Sequence, residues 1–351
     1  GRAAQLVAVA AAQALSDAFE RPQDNRPQDH GTTGPQVRGQ GSVVSSFGVC
    51  LGTTMGEPQF VENMNPLWDD EAAVTPLCTE VVANPPSVLS ERVASYFQLC
   101  GPNLTIPTAC AAGNYALGWA FEQVQSGAAD MMLAGGTDAF SRLAFVGFSR
   151  LHAFSPDVCR PFDRNRQGLL LSEGAGVLVL ERLEHAQARG ARIYAEMLGY
   201  GLSADAHHIT APHPDGAGAA LAMRRALQRA QRSPDDVDYI NAHGTGTPHN
   251  DKAETLAIKS LFGERAYQIP VSSIKALTGH AMGAASAIEA IACVLSLYHG
   301  ILPPTWNYQE PDPECDLDYI PNAPRDVQPH VVLNNSYGFG GNNACVVFGK
   351  W

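Results

Sequence analysis

Short apolar runs and amphipathic stretches alternate along almost the whole chain. Runs of a few apolar residues predict buried strands, and stretches with apolar residues at helical spacing predict helices. The predicted strands are 43–52, 104–109, 131–134, 176–181, 193–200, 237–241, 331–335 and 344–348. The predicted helices are 6–19, 110–126, 182–190, 217–230, 252–262 and 283–298. This alternation favours an α/β fold in which layers of helices cover largely buried sheets.

The first predicted helix begins with an apolar, alanine-rich run, 6–12, that resembles the core of a signal peptide. The apolar pattern continues through Leu15 and Phe19 at helical spacing, which favours an amphipathic helix instead. The polar segment 21–40 predicts a surface loop. Since no stretch reaches the roughly 20 apolar residues needed to cross a bilayer, the sequence predicts a soluble protein.

Composition narrows the classes of function. The 351 residues are 45% hydrophobic, which is enough for a sizeable core. The formal net charge of −12 argues against a protein that binds nucleic acid. Eight cysteines stand singly without a C-x-x-C pair, which favours free thiols in a reducing compartment, and we expect a cytoplasmic protein.

An acidic protein partner would need a local basic patch on this acidic chain. The candidate residues, most of them around one loop, are Arg150, Arg160, Arg164, Arg166 and Lys275. Scattered, solvated side chains are the alternative interpretation.

Cys110 is the leading candidate nucleophile. It lies in the segment I-P-T-A-C-A-A-G (106–113), where a predicted strand ends and a predicted helix begins. The free amides and partial positive charge of a helix N-terminus favour the thiolate, which is the reactive form. Small neighbours leave room for a thioester. The alternative is a buried structural cysteine.

Two histidines stand in glycine-rich turns. His243 follows a predicted strand and opens the turn H-G-T-G-T-P, and His280 comes five residues after Lys275, just before a predicted helix. For either histidine alone, a core residue with a satisfied hydrogen bond is the default interpretation. Together with Cys110 they favour a catalytic site. A metal site is the rival interpretation, although the sequence spacing is not that of metal ligands.

The segment 335–343 reads N-S-Y-G-F-G-G-N-N. Its glycines can bring backbone N–H groups close to a reacting atom, and such donors stabilise an oxyanion. The segment lacks the lysine and Ser/Thr that end a phosphate-binding P-loop. A tight hairpin without a function is the alternative.

Four segments, T-A-C-A-A-G, A-H-G-T-G-T-P, S-I-K-A-L-T-G-H and N-S-Y-G-F-G-G-N-N, occur in the order and spacing of the elongating β-ketoacyl synthases. The chain resembles this family along nearly its whole length. The family includes the type II polyketide ketosynthases and belongs to the thiolase superfamily. The resemblance implies a thiolase fold of five layers (αβαβα), usually assembled as a dimer. Its two α/β halves would be 1–190, with the nucleophile, and 191–351, with both histidines and the glycine loop.

The resemblance also implies a reaction. Cys110 would take an acyl group from an acyl carrier protein, with its own N–H and that of Phe339 as the oxyanion hole. His243 and His280 would hold the carbonyl of a malonyl thioester and stabilise the enolate left when carbon dioxide departs. That enolate would attack the acyl group on Cys110 and extend it by two carbons. No cofactor is expected, because phosphopantetheine arrives on the carrier protein.

Other residues would support this chemistry by the same resemblance. Lys275 would orient the site electrostatically together with Glu254, and Asp251 would support the turn at His243. The remaining assignments are Phe339 as a gate between the half-reactions, Thr245 and Thr247 along the phosphopantetheine arm, and Met55 with Leu169 in the acyl pocket.

The chain departs from the family pattern in two ways. The family normally has a further strand and helix ahead of the first helix found here, and that strand would lie inside a sheet. Either the full translation product is longer or the fold has compensated for the missing strand, and we expect the first. Where fatty-acid-synthesising members commonly have R-D-G-F, this chain has R-Q-G-L at 166–169. Leucine changes the pocket shape, so we expect an unusual acyl substrate such as a polyketide or polyene intermediate.

Three other functions share the implied fold. A non-catalytic chain-length-determining subunit usually lacks the nucleophile, so Cys110 with both histidines would make this chain the active member of any heterodimer. Starter-type synthases pair the cysteine with one histidine and one asparagine, and thiolases have a second cysteine, for which Cys345 is a candidate. A homodimer and a heterodimer both stay open, and neither nucleic acid nor a membrane is an expected partner.

Overall fold

The computed structural model describes residues 1–19, 46–64, 79 and 84–351. Two mixed β-sheets are stacked within this part of the chain, with helices between and around them. The predicted loop 21–40 and the first three residues of the predicted strand 43–52 lie outside the described residues.

The first sheet contains β1 (Phe47–Gly52), β2 (Asn103–Ile106), β3 (Met131–Asp138) and β4 (Gly174–Glu181) in the order β2-β1-β3-β4. β1 runs parallel to both of its neighbours, and β4 is antiparallel to β3. β1 and β3 are buried throughout, which explains why their sequences are apolar runs without alternation.

The later strands are β5 (Glu196–Ala204), β6 (Tyr239–Asn241), β7 (Val271–Ser272), β8 (Ile301–Leu302), β9 (Arg325–Asp326), β10 (Val331–Gly338) and β11 (Asn342–Gly349). The second sheet has the order β5-β11-β10-β6-β7, while β8 and β9 form a small separate pair. β10 and β11 are an antiparallel hairpin around the glycine-rich segment, and β6 runs parallel to β10. The last residue of β6, Asn241, therefore lies beside Asn334, and β10 continues for four more residues to Gly338.

The helices are Arg2–Phe19, Gln59–Met64, Val88–Phe97, Ala112–Gln125, Arg142–Arg150, Leu183–Ala188, Ala217–Arg229, Pro248–Phe262, Lys275–Thr278 and Ala285–His299. The sequence pattern did not reveal the helices Val88–Phe97 and Arg142–Arg150. Arg142–Arg150 exposes apolar residues to solvent, so its pattern is not that of a helix whose apolar face is buried in a core.

The central layer consists of the nucleophile helix (Ala112–Gln125) and the helix Ala285–His299. Both lie between the sheets: Leu117 belongs to one apolar core together with Met132 of β3 and Val346 of β11. A helix that contacts a sheet on each side needs apolar residues on both faces, which explains the long apolar patterns of these two helices.

Helices also cover the outer faces of both sheets. Arg2–Phe19 and Val88–Phe97 share a buried core with the first sheet, and Ala217–Arg229 and Pro248–Phe262 share another with the second. The order is therefore helix, sheet, helix, sheet, helix, which is the predicted five-layer arrangement.

The segment Met282–His299 has the length and composition of a membrane-crossing helix, and 67% of it is buried inside the fold. Its place in the central layer accounts for its apolar composition.

Candidate active site

Cys110 lies in a turn with an unusual backbone conformation. After β2 ends at Ile106, Ala109 adopts a left-handed conformation with φ of +50°. Residues other than glycine rarely do so, and such strain concentrates at functional sites. A 3₁₀ turn, Ala109–Ala111, then leads directly into the nucleophile helix. Cys110 is 5% exposed, and its carbonyl accepts a hydrogen bond from the Ser336 hydroxyl at 2.9 Å. The sulfur is thus held at the N-terminal end of this helix.

His243 follows β6, and a buried carboxylate holds its backbone. The N–H groups of His243 and Gly244 each donate to one oxygen of Glu254 at 2.8 Å. Gly244 has a φ of +38°, and a Cβ there would come 2.5 Å from the Cβ of Ser273, so the turn requires glycine. Glu254 belongs to the helix Pro248–Phe262, which therefore determines where the imidazole leaves the strand.

Backbone groups of another segment hold the main chain of His280. Its N–H donates to the carbonyl of Leu170 at 2.7 Å, and its carbonyl accepts from the N–H of Ser172 at 3.1 Å. The two segments form an isolated parallel bridge between His280 and Leu171. Residues 170–172, just ahead of β4, therefore hold the backbone of His280.

The three side chains meet in one place. The Nε2 atom of His280 lies 3.1 Å from the sulfur of Cys110. The ring centroids of His243 and His280 are 5.5 Å apart, with the rings at 82° to each other. One ligand atom from each of the three residues lies within 4.8 Å of the other two. The structure thus brings together three residues from distant segments, close enough for one thioester carbonyl to reach all of them.

A cysteine and two histidines at these distances are also ligands of the kind that zinc prefers. The sequence spacing gave no indication of this proximity, because the three residues come from separate segments. Geometry alone therefore admits a metal ion, and metal analysis of the purified protein distinguishes the two interpretations.

Burial dominates the electrostatics of the site. It raises the pKa of Cys110 to about 12, although the charge of Lys275 acts in the opposite direction. It lowers the pKa values of His243 and His280 well below their usual value, and the charge of Lys275 lowers them further. The resting site at pH 7 therefore holds a thiol and two neutral imidazoles. The thiolate expected from the helix N-terminus is not favoured at rest, because desolvation opposes the charged form more strongly.

Lys275 is 1% exposed and forms a buried ion pair with Glu289. Its direct partner is thus Glu289 rather than Glu254, although its charge also lowers the pKa of Glu254. Sequence reasoning missed Glu289, which is the one acidic residue in the predicted apolar helix 283–298. A carboxylate in a helix that is apolar on every side needs a buried cationic partner, and that is the signal that was available.

Asp251 supports the turn that follows His243. Its carboxylate accepts hydrogen bonds from the N–H of Gly246 at 3.2 Å and of Phe162 at 2.7 Å. The guanidinium of Arg166 lies 3.9 Å from the same carboxylate. Asp251 therefore ties the turn to the loop that carries Phe162.

The predicted basic patch is smaller than expected. Arg166 is 8% exposed and Lys275 is 1% exposed, so both are part of the interior. Arg160 is engaged by a neighbouring aspartate. Arg150 and Arg164 are exposed, and of the five candidates these two are the ones available to an acidic partner.

A cavity of about 340 Å³ opens over Cys110 and the two histidines. Leu169, Thr245 and Thr247 line it, and the two threonine hydroxyls are 2.9 Å apart. Met55 is not among the described residues that line this cavity, and its amide donates to Asp138 at 3.2 Å instead. The structure therefore brings Leu169 and both threonines to the cavity, but not Met55.

The glycine-rich segment 335–343 borders the cavity beside Cys110. A Cβ at Gly338 would come 3.3 Å from the backbone nitrogen of Cys110, so the loop contacts the nucleophile turn. The ring of Phe339 is 37% exposed, lines the cavity and stacks on Phe148 with a centroid distance of 5.4 Å. Phe339 is thus an aromatic wall residue with part of its ring open to solvent.

Family models match most of the chain. The model of the β-ketoacyl synthase N-terminal domain matches residues 1–186, and that of the β-ketoacyl synthase C-terminal domain matches residues 194–309. The chain belongs to the β-ketoacyl synthase family. The predicted family membership is thereby confirmed.

Individual relatives agree with the family models. The chain is 45% identical over 315 residues to 3-oxoacyl-[acyl-carrier-protein] synthase 2 of Synechocystis sp., covering 87% of this chain and 75% of that protein. It is similar in structure to the ishigamide ketosynthase/chain length factor, with a TM-score of 0.83 and 44% identity over 87% of this chain and 75% of the other. It also resembles the AntDE:AntF complex of a type II PKS acyl-carrier protein with its ketosynthase, with a TM-score of 0.84 and 37% identity over 88% and 79%.

The curated relatives are longer than this chain, which spans between 65% and 75% of their length. The predicted thiolase fold and the predicted reaction class, an acyltransferase of the chain-elongating 3-oxoacyl synthase type, are confirmed by these comparisons. A non-catalytic partner subunit, a thiolase or a starter-type enzyme is not favoured.

Proposed function

We propose that this chain is the catalytic subunit of a ketosynthase that elongates carrier-bound acyl chains, and that Cys110 carries the acyl group. In the first step the sulfur attacks the carbonyl carbon of an acyl thioester. Its proton passes to the Nε2 atom of His280, which lies 3.1 Å away and is kept neutral by burial. The bond from the carbonyl carbon to the carrier sulfur then breaks, and the leaving thiolate takes up the proton. The short contact between Cys110 and His280 is the observation that carries this proposal.

In the second step both imidazoles act on a malonyl thioester. In this step the proton of each neutral ring lies on the nitrogen that faces the cavity, so the His280 proton moves from Nδ1 to Nε2 between the two half-reactions. Each N–H then donates to the thioester oxygen as negative charge develops there, and burial strengthens such bonds. The bond to the carboxylate breaks, its electron pair forms the enolate, and carbon dioxide leaves. The enolate carbon attacks the acyl carbonyl on Cys110, whose C–S bond breaks, and the sulfur recovers a proton taken up from solvent.

The acyl oxygen needs its own donors during both transfers. We assign these to the backbone N–H groups of Cys110 and Phe339, in agreement with the contact between the glycine-rich segment and the nucleophile turn. The three ligand atoms of the site are then used for thioester chemistry without a resident metal or cofactor.

The acyl substrate is proposed to be a polyketide or polyene intermediate. Leu169, which is 3% exposed, forms part of the cavity wall where common fatty-acid enzymes have an aromatic residue. The ishigamide ketosynthase and the ketosynthase bound to a hexaketide are among the similar structures, which supports this substrate class.

A ketosynthase-like subunit is the proposed partner at one exposed face. The helix Arg142–Arg150 presents Leu143, Phe145 and Val146 to solvent, each about half exposed. Contiguous apolar side chains of this kind mark protein interfaces. The similar ishigamide ketosynthase is described together with a chain length factor, and a homologous subunit therefore fits this face. Gel filtration of the chain alone and with the candidate subunit separates a homodimer from a heterodimer.

An acyl carrier protein is the proposed donor of both thioesters, with Arg150 and Arg164 as exposed contacts for its acidic surface. The proposed location is the cytoplasm. The free thiols of all the described cysteines agree with a reducing compartment.

Mass spectrometry of the intact protein tests the proposed function. Incubation with an acyl carrier thioester should add one acyl group to Cys110, and later addition of malonyl carrier protein should release a 3-oxoacyl product two carbons longer. Cys110→Ala should show neither event. Acylation at another residue, or stoichiometric zinc whose removal abolishes activity, would overturn the proposal.

A further inference from the structure

Tyr337 is a buried polar residue at the site to which the proposed reaction assigns no role. It is the penultimate residue of β10, is 8% exposed and lines the cavity. Its ring centroid lies 5.6 Å from that of His243, with the rings at 66°, an edge-to-face arrangement. Within the described part of the chain, the buried hydroxyl has no hydrogen-bond partner.

Glu254 is the acceptor that this hydroxyl faces. Burial raises the pKa of Tyr337 well above its usual value, and the charge of the nearby Glu254 carboxylate raises it further. The phenol therefore stays protonated and is available as a donor. Glu254 accepts one N–H bond on each oxygen, from His243 and Gly244, and each carboxylate oxygen has room for a second donor.

We propose that Tyr337 is a positioning residue for His243: its hydroxyl donates to Glu254 during the reaction, and its ring holds the plane of the imidazole. The Tyr337 hydroxyl is a buried donor without a bond within the described residues, and the Glu254 carboxylate is close enough for its charge to raise the pKa of Tyr337. Glu254 must be ionised to accept both amides fully, and a third donor stabilises the ionised form. This inference rests on the proposed function, because that function assigns His243 to the malonyl step.

The charges around Glu254 determine the expected pH dependence. Burial raises its pKa to about 7, the amides of Gly244 and His243 lower it, Asp251 raises it and Lys275 lowers it. Without the phenol donor, the ionised carboxylate of Glu254 is less stable, so the pKa of Glu254 rises further. The carboxylate is then lost at a higher pH, and the acid limb of the malonyl step moves toward neutral pH.

Tyr337→Phe removes the hydroxyl and keeps the ring. We expect kcat for malonyl decarboxylation at pH 7 to fall roughly fivefold to tenfold, with the acid limb displaced upward by about half a pH unit or more. The single-turnover rate of Cys110 acylation should change less than about twofold, since that step uses His280. The matched control is Tyr200→Phe, which removes a phenol that donates to Glu122 at 2.9 Å, outside the residues that line the cavity. Its pH profile should equal that of the wild type.

A double variant distinguishes an effect of Tyr337 through Glu254 from a simple loss of packing. In the background of Glu254→Gln, which has no titrating carboxylate, Tyr337→Phe should produce no further displacement of the pH profile. A wild-type profile for Tyr337→Phe, or an equal loss in both half-reactions at every pH, would overturn the inference. Either result leaves the proposed function intact as long as the wild type still acylates Cys110 and condenses.

Discussion

His243 and His280 are the same kind of side chain in the same buried site, yet the protein supports them differently. The backbone of His243 is held by the carboxylate of Glu254, and that of His280 by neutral peptide groups of Leu170 and Ser172. A peptide bridge does not titrate near neutral pH, whereas a buried carboxylate whose pKa is raised to about 7 does. The comparison teaches that the two half-reactions can differ in pH sensitivity although both use neutral imidazoles.

The largest expected effect comes from removing the atom that His280 contacts. Cys110→Ala should lower condensation by about three orders of magnitude or more, because no covalent intermediate forms. Cys110→Gln should also abolish acylation while malonyl decarboxylation continues, since both histidines stay in place. Measuring acylation and carbon dioxide release on both variants checks this. Loss of decarboxylation in Cys110→Gln would contradict the separation of the two steps.

Exchanging the histidines one at a time tests the comparison directly. His280→Ala should slow both acylation and decarboxylation by roughly a hundredfold or more, since this ring takes the proton from Cys110 and also faces the malonyl oxygen. His243→Ala should slow decarboxylation by a similar factor and acylation by much less. Rapid-quench kinetics of each half-reaction measure the difference. If both variants lost the same factor in the rates of both half-reactions, the two imidazoles would not have separate roles.

The Glu254 carboxylate, which holds the backbone of His243, is expected to titrate near neutral pH. The peptide groups that hold His280 are not. The carboxylate form of Glu254, which accepts both amides, is lost as the pH falls through about 7, so decarboxylation should decline on acidification while acylation declines less. Glu254→Gln should reduce decarboxylation roughly tenfold, comparable to one hydrogen bond to a charged group, and make its acid limb flatter. Stopped-flow rates across the pH range provide the measurement. An unchanged acid limb in Glu254→Gln would assign the titration to another group.

The smallest expected effect concerns the acyl pocket. Leu169→Phe should reduce the kcat/KM for bulky or unsaturated acyl carriers relative to short saturated ones by roughly tenfold, because an added ring fills part of the cavity. A competition assay with mixed acyl carriers, read by mass spectrometry, measures the ratio. An unchanged ratio would place the acyl chain elsewhere.

The sequence predicted the layered fold and the nucleophile turn, because apolar runs, helical spacing and glycine-rich turns are local signals. It did not predict which carboxylate pairs with Lys275, because the contact with Glu289 depends on how a short helix packs against the central layer. The absence of Met55 from the cavity wall has a similar cause: Asp138, far away in sequence, holds its turn. The protonation state of Cys110 was also missed, since the degree of burial is a property of the assembled fold.

The peptide bridge at His280 couples selectivity to reactivity. Leu169 forms part of the cavity wall, and the carbonyl of the next residue, Leu170, accepts the backbone N–H of His280. An acyl chain that presses on the wall therefore pushes against the same short stretch of backbone that aims the proton acceptor. Substitutions that enlarge such a pocket for longer acyl chains have to preserve this stretch of backbone. Otherwise the enzyme binds the longer chain but turns over more slowly.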